Sequence, residues 1–225
     1  LVLHKSHDYQ HPSLTDQLTL HGIRQLELDV HLSAEGDFEI FHLQKVDPKT
    51  SCATLAACLE ECLEWSVAHP RHLPLLFWLE LKDADDWEGS PYVSMAGRHA
   101  QLEQLVLDAW PIDRIITPDE VRGEHDALPV AIGTDGWPKI SSLRGRVMFA
   151  LLERGSHRTE YLAPSPDLRG RPFFVASRDP ADPSAAIYKI DDARKDGALI
   201  RRLVAAGFLV GSNCDKTGTS DEENA

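Results

Sequence analysis

Long apolar runs are missing from this 225-residue chain: no stretch approaches the roughly 18 residues of a membrane-crossing helix, so no segment reads as one. Positive charge is also scarce. Against 36 Asp and Glu there are 23 Lys and Arg, giving a formal charge of −13 and a pI near 5.2. That balance argues against a nucleic-acid partner and against long-range attraction to an anionic bilayer, which leaves at most peripheral membrane contact. No basic or aromatic patch of the kind an interfacial lipase carries stands out. Internal repeats and low-complexity linkers are absent too, so the chain reads as one domain over residues 1–225, whose 42% hydrophobic residues suffice for a sizeable core. The first residue is Leu1 and not Met, which suggests removal of a signal peptide and an extracellular, secreted protein.

What the chain does have is a set of acids at the ends of expected strands. Ile23-Arg-Gln-Leu-Glu-Leu-Asp-Val-His31 alternates, with Glu27 and Asp29 on one face and Leu26, Leu28 and Val30 on the other. An isolated Glu-x-Asp pair reads most simply as the polar side of an edge strand. Two more segments change that reading. Asp37-Phe-Glu-Ile-Phe-His-Leu-Gln44 is a short alternating strand carrying His42. Pro74-Leu-Leu-Phe-Trp-Leu-Glu-Leu-Lys82 is apolar on both faces, as in a parallel sheet, and ends in Glu80 and Lys82. Leu1-Val-Leu3 is a further strand leading into His7 and Asp8. Parallel α/β sheets and barrels place their chemistry at the C-terminal strand ends. Clustered carboxylates are tolerated there when a hard, oxygen-seeking cation neutralises them, and Ca²⁺ is the simplest candidate with Mg²⁺ the alternative.

The blocks Ser6-His7-Asp8, Gln17-Leu18, Gly22-Ile-Arg-Gln-Leu-Glu-Leu-Asp-Val-His31, Phe41-His42, Thr50-Ser-Cys52 with Cys58-Leu59, and Leu79-Glu80-Leu-Lys82 occur in the order found in one family. Thr117-Pro-Asp-Glu-Val-Arg122, Gly136-Trp-Pro138, Leu143-Arg-Gly-Arg-Val147 and Leu203-Val-Ala-Ala-Gly-Phe-Leu-Val210 continue the series. The chain resembles the calcium-dependent phosphatidylinositol-specific phospholipases C of the bacterial and fungal secreted type. The resemblance implies a distorted TIM-type (β/α)8 barrel, and one more helix and strand than the sequence supplies. It also implies that Asp8, Glu27, Asp29 and Glu80 hold Ca²⁺ and that Glu27 accepts a proton. His7 would stabilise the developing phosphorane and His42 would protonate the leaving alkoxide, by way of a cyclic phosphate. Lys82 would touch phosphate, its simpler reading being a solvated strand end.

Two departures from the family's pattern bear on substrate and register. Where the family reads Arg-Thr-Arg, this chain has Gly211-Ser212-Asn213, so these residues would line the substrate site without a guanidinium pair. A phosphodiester is therefore the expected substrate, phosphoinositide or a related soluble one. At the start, His4-Lys5-Ser6 offers a second register, but Asp8 can give a metal an oxygen and Lys5 cannot. Two other readings are a glycerophosphodiester phosphodiesterase, whose His-Arg-Gly and Glu-Asn-Thr motifs are absent, and a silent barrel that binds a sugar or inositol.

Elsewhere, helical spacing predicts helices over 53–69 and 95–110, and apolar runs predict strands over 146–152, 171–176, 186–190 and 207–210. The Pro-, Gly- and Asp-rich stretch 112–139 reads as a long excursion between barrel units. Cys58 and Cys62 fall on the buried face of the first helix, as core residues and not metal ligands. Cys52 could bridge to Cys58 in an oxidising compartment, leaving Cys214 single or paired with Cys62. Arg24, Asp83, Asp85 and Asp86 read as surface or rim charges.

Overall fold

Alternation makes Gln25–Ser33 a strand, β1, with its apolar residues Leu26, Leu28 and Val30 buried. The computed structural model describes residues 11–45, 47–83, 89–153 and 155–213. The expected first strand, the His7-Asp8 motif with its alternative at His4, and Asp85, Asp86 and Cys214 lie outside the described residues. Ahead of β1 comes the short helix α1 (Leu14–Thr19), capped by the Ser13 hydroxyl. After β1 the chain turns back into β2 (Phe38–Ile40), then runs through α2 (Leu55–Ala68), β3 (Leu75–Leu81), β4 (Tyr92–Val93) and α3 (His99–Ala109). The excursion is not the plain loop its Pro and Gly content suggests. It carries α4 (Pro118–Arg122) and α5 (Leu128–Thr134), followed by α6 (Ile140–Leu143). Proline at the first turn of α4 and α5 is what lets short helices start there. Then come β5 (Val147–Leu151), α7 (Ser156–Leu162), β6 (Phe174–Val175), β7 (Ile187–Asp192), α8 (Ala193–Ala205) and β8 (Leu209–Asn213).

Six of these strands, β1, β3, β5, β6, β7 and β8, follow one another in parallel. Ladders join β1 to β3, β3 to β5, β5 to β6 and β7 to β8, and a bridge between Ala176 and Ile187 carries the sheet from β6 to β7. The last strand returns to the first: a Cβ at Gly211 would lie 3.4 Å from Gln25 Oε1 and 3.7 Å from Trp78 Nε1. The sheet thus curls into a distorted TIM-type α/β barrel. Odd residues of β3 face the helices, where Phe77 stacks on Phe149 at 5.3 Å and meets Trp110 at 6.2 Å. Even residues face the barrel interior. The expected strand over 37–44 is corrected here. It is shorter, and pairs antiparallel with the far end of β1 instead of forming a parallel stave.

Helix α2 has the predicted buried face, Leu55, Cys58, Leu59, Cys62 and Trp65, and Thr54 caps it by accepting from the Ala57 N–H. Cys52 is disulfide-bonded to Cys58 across a Cα separation of 5.3 Å, and Cys62 is a buried thiol. The excursion is pinned by Arg122, which is 2% exposed, ion-pairs with Asp119 and donates to the Asp167 carbonyl.

The turn into β5 is tight. Gly145 has φ +74°, and a Cβ there would lie 2.5 Å from the Pro70 carbonyl oxygen, so the turn holds β5 against the loop after α2. Gly145→Ala should cost about 1–3 kcal/mol, read as a lower denaturant midpoint at unchanged slope. An unchanged midpoint would show that this packing carries no stability.

Candidate metal and acid–base centre

Parallel pairing of β1 with β3 sets Glu27 opposite Trp78 and Asp29 opposite Glu80. Residues in register share a face, so both β1 acids and Glu80 point into the barrel near its C-terminal mouth. One oxygen of each of the three carboxylates lies within 4.8 Å of the others. Lys82 follows one repeat beyond Glu80 and bridges the pair, with Nζ 2.7 Å from Glu80 Oε1 and 3.2 Å from Asp29 Oδ1. It is 20% exposed, so it is not the solvated strand end of the simpler reading.

Like charges this close ionise together only at raised pH in a half-dry site. Burial raises the Asp29 carboxyl, Lys82 opposes the rise, and the neighbouring Glu80 adds to it, leaving Asp29 at about 6. At Glu80 burial also pushes upward, but Lys82 and the hydrogen bond from Asp29 outweigh it and hold the group below its ordinary value. The last proton of the pair therefore sits on Asp29 and is released only as pH rises through about 6. Burial disfavours the charged form of Lys82, yet its contacts with Glu80 and Asp29 raise it above the usual ammonium value.

Two features complete the mouth. His42 is half exposed and its Nδ1 lies 3.1 Å from Oδ2 of Asp47, whose side chain is 7% exposed. A tight turn in which Leu43 and Asp47 exchange backbone hydrogen bonds brings that carboxylate under the ring. His42, Asp47, Glu27 and Asp29 all line one cavity of about 440 Å³. A second cavity, about 340 Å³, is bounded by Glu27, Glu80, Leu152, Lys189, Asp191 and Asn213. Lys189 reaches across from β7 to Glu27 Oε2 at 3.1 Å. Asn213 thus borders the acids, whereas Ser212 alternates to the other face of β8 and lines neither cavity. Asp47 and Lys189 are additions to the residues legible in sequence. Lys189 had a usable signal, a cation at the end of an apolar strand; Asp47, in a loop, had none. Arg24, read as a surface charge, is a structural residue: it donates to the carbonyls of Leu18 and Ile23 and lies over Trp65 at 5.0 Å.

The donor set suits a hard cation. All three candidate donors are carboxylate oxygens, and two lysines leave the cluster short of positive charge, in keeping with the raised Asp29 carboxyl. Residues 32–225 match the family model for phosphoinositide phospholipase C, Ca²⁺-dependent. The chain belongs to that family. Its members are phosphodiester-cleaving enzymes, so this phospholipase C relative is a phosphodiesterase of the same class. Glu27 and Asp29 lie just before the matched span, so their place in the site rests on the β1–β3 register. The fold is shared with a Ca²⁺-dependent phosphatidylinositol-specific phospholipase C from Streptomyces antibioticus. That protein is 21% identical, with 94% of this chain and 82% of that one covered and a TM-score of 0.71. A calcium-dependent phosphoinositol-specific phospholipase C from a Gram-negative Pseudomonas species, in a myo-inositol complex, is 17% identical. The match covers 94% of this chain and 78% of that one, at a TM-score of 0.70. No curated protein matches in sequence.

The shifted carboxyl gives a pH signature for the phospholipase C relative without metal. Well below the ordinary 3.8 the folded and unfolded chains both hold the Asp29 proton. As pH climbs from the ordinary 3.8 toward about 6, the unfolded chain ionises first, so this group removes stability across that window. In chelator, Asp29→Asn should abolish that decline relative to the parent protein, and Ca²⁺ should reverse it. Parallel midpoint-versus-pH curves for the two proteins would show that Asp29 is not the titrating group.

Proposed function

We propose that this enzyme cleaves a phosphodiester by attack of the substrate's own neighbouring hydroxyl, giving a cyclic phosphate, with Ca²⁺ held by Glu27, Asp29 and Glu80. The observation that carries the reading is the convergence of these three acids and the His42–Asp47 pair on one mouth. Bound there, Ca²⁺ supplies positive charge to phosphate oxygens and lowers the pKa of the attacking hydroxyl. Glu27 stands outermost of the three acids, with its side chain 40% exposed, and is placed to take the hydroxyl proton. As the new O–P bond forms, the bond to the leaving oxygen breaks, and His42 gives that oxygen a proton. Asp47 fixes the ring by accepting from Nδ1–H, which leaves Nε2 as the acid. An intramolecular nucleophile gains effective molarity, which favours cyclisation over direct attack by water. His7 and Asp8 are proposed to complete the site, as phosphate donor and metal ligand. The Cys52–Cys58 disulfide supports an extracellular setting for the enzyme.

Substrate selectivity rests on β8. Among the described residues, the cations beside the acids are Lys82 and Lys189, and both already ion-pair with carboxylates. With Gly211 and Asn213 at the mouth, no arginine is among the described residues that line the pocket, so none of them offers a forked guanidinium for further phosphates or several hydroxyls. We propose that a soluble or differently substituted diester is cleaved better than phosphatidylinositol. A phosphodiester panel followed by phosphorus NMR, with and without chelator, tests the whole reading. Chelator-sensitive formation of a cyclic phosphate is expected, and turnover that ignores chelator or skips the cyclic product overturns it.

The side chains give two sharper expectations. His42→Ala should lower turnover by about 10²–10⁴-fold with the fold intact, and Asp47→Asn, which keeps the ring but removes its anchor, should fall between that and the parent. Full activity in His42→Ala would remove it from the mechanism. Separately, Asn213→Arg should raise phosphatidylinositol cleavage several-fold relative to a soluble diester. A parent enzyme that already prefers phosphatidylinositol vesicles to every soluble diester would refute the selectivity argument.

A further inference from the structure

A second group of ligand-type side chains lies away from the barrel mouth, where the starts of α3 and α7 meet. His99 is the first residue of α3. His157 and Glu160 stand three residues apart on α7, so both reach the same side. One donor atom of each of the three lies within 4.8 Å of the others. The two imidazoles are 5% exposed and meet edge to face, with centroids 5.7 Å apart. Buried ring nitrogens are normally hydrogen-bonded. Here Nε2 of His99 and Nδ1 of His157 have no hydrogen-bond partner. The neighbouring acids face the other two nitrogens: Glu160 Oε2 lies 3.9 Å from His99 Nδ1, beyond hydrogen-bond reach, and Asp83 Oδ2 ion-pairs with His157 Nε2 at 3.1 Å. Both acids are themselves anchored. Glu160 accepts from the Gly97 N–H at 2.6 Å through its other oxygen, and Asp83 from the Ser94 hydroxyl at 2.8 Å.

We propose that His99, His157 and Glu160 bind a divalent d-block cation of the Zn²⁺ type, beside Asp83. Two imidazoles and a carboxylate form a donor set that Zn²⁺ takes at about 2.0–2.2 Å, leaving a fourth position for water or Asp83. The same set is poor for Ca²⁺, which seeks six to eight oxygens, so the site differs in kind from the carboxylate cluster at the mouth. A tetrahedral ion needs its donors roughly 3.3 Å apart, which side-chain rotation can reach from the present spacing. A bound ion would tie the starts of α3 and α7 to the chain just past Lys82, bracing the rim that carries Glu80. The proposal stands on these side chains alone and does not depend on the reaction proposed above.

Cobalt(II) serves as the probe, because its visible d–d bands report a tetrahedral site. The full chain, saturated with Ca²⁺, is titrated with Co²⁺ and then back-titrated with Zn²⁺. One equivalent of intense bands, displaced by Zn²⁺, is expected. His99→Asn and His157→Asn should each weaken binding at least a hundredfold and Glu160→Gln at least tenfold, whereas Glu27→Gln and Asp29→Asn should leave the bands in place. Should a histidine variant fail to fold by circular dichroism, Zn²⁺-soaked crystals of the parent protein decide, through anomalous scattering at the three residues. Absent bands with no anomalous peak overturn the proposal. So do bands that survive both histidine variants and vanish in Asp29→Asn, since the ion would then sit at the mouth.

Discussion

Three carboxylates forced together by strand register are the constraint on which the rest of the mouth depends. Once β1 and β3 pair in parallel with Asp29 opposite Glu80, the two acids cannot move apart without breaking the ladder that builds the barrel. Their repulsion has to be met locally. In the protein alone it is met in three ways: an Asp29 carboxyl that gives up its proton only near pH 6, Lys82 bridging the pair, and Lys189 reaching across from β7 to Glu27. Each is the response of a site short of positive charge, and a divalent cation relieves the same shortage more completely. The cost of holding the acids together without metal is thus tied to the affinity for metal through one register.

Much of this was legible in the sequence because it is local. The alternation in β1, the two-sided burial of β3 and the apolar face of α2 are carried by periodicity, and each was found in place with ends shifted by a few residues. The excursion was harder. Pro and Gly mark where helices begin and stop, so a stretch full of them looks like loop even when α4 and α5 fit between the marks. Sheet direction was harder still. The segment around Phe38 alternates as any strand does, and nothing in its own residues says that it turns back along β1 instead of joining the barrel. Long-range ion pairs such as Lys189 with Glu27 span 162 positions and leave no sequence period at all.

The change of partner along β1 explains how one strand serves both halves of the chemistry. From Gln25 to Val30 it pairs in parallel with β3 and delivers the acids; from Val30 to Leu32 it pairs antiparallel with β2, and at its end with β4. His31 sits at this handover, fully inside the protein, stacked on Phe41 at 3.7 Å with its Nε2 3.0 Å from the Phe41 carbonyl. Its role is packing and not ligation. By fixing Phe41 it fixes the backbone of the next residue, His42, against the cavity that Glu27 and Asp29 also line.

Burial sorts the histidines by function. His31 and His72 are buried, His31 with Nε2 on the Phe41 carbonyl and His72 with its two ring nitrogens on the Ser66 hydroxyl and the Leu73 carbonyl, which is how a structural imidazole is satisfied. His42 is half exposed with one nitrogen anchored by a buried carboxylate, which suits proton transfer to a substrate that arrives from solvent. His99 and His157 fit neither pattern, being as buried as the structural pair yet each with one ring nitrogen unpaired, Nε2 of His99 and Nδ1 of His157. Leaving such groups dry and unpaired costs about 1–3 kcal/mol each, a penalty that a fold with ample apolar alternatives has no packing reason to accept. Coordination removes that penalty by giving each lone pair a partner, and the soft-leaning donors there and the all-oxygen donors at the mouth then divide two kinds of cation between two places on one barrel.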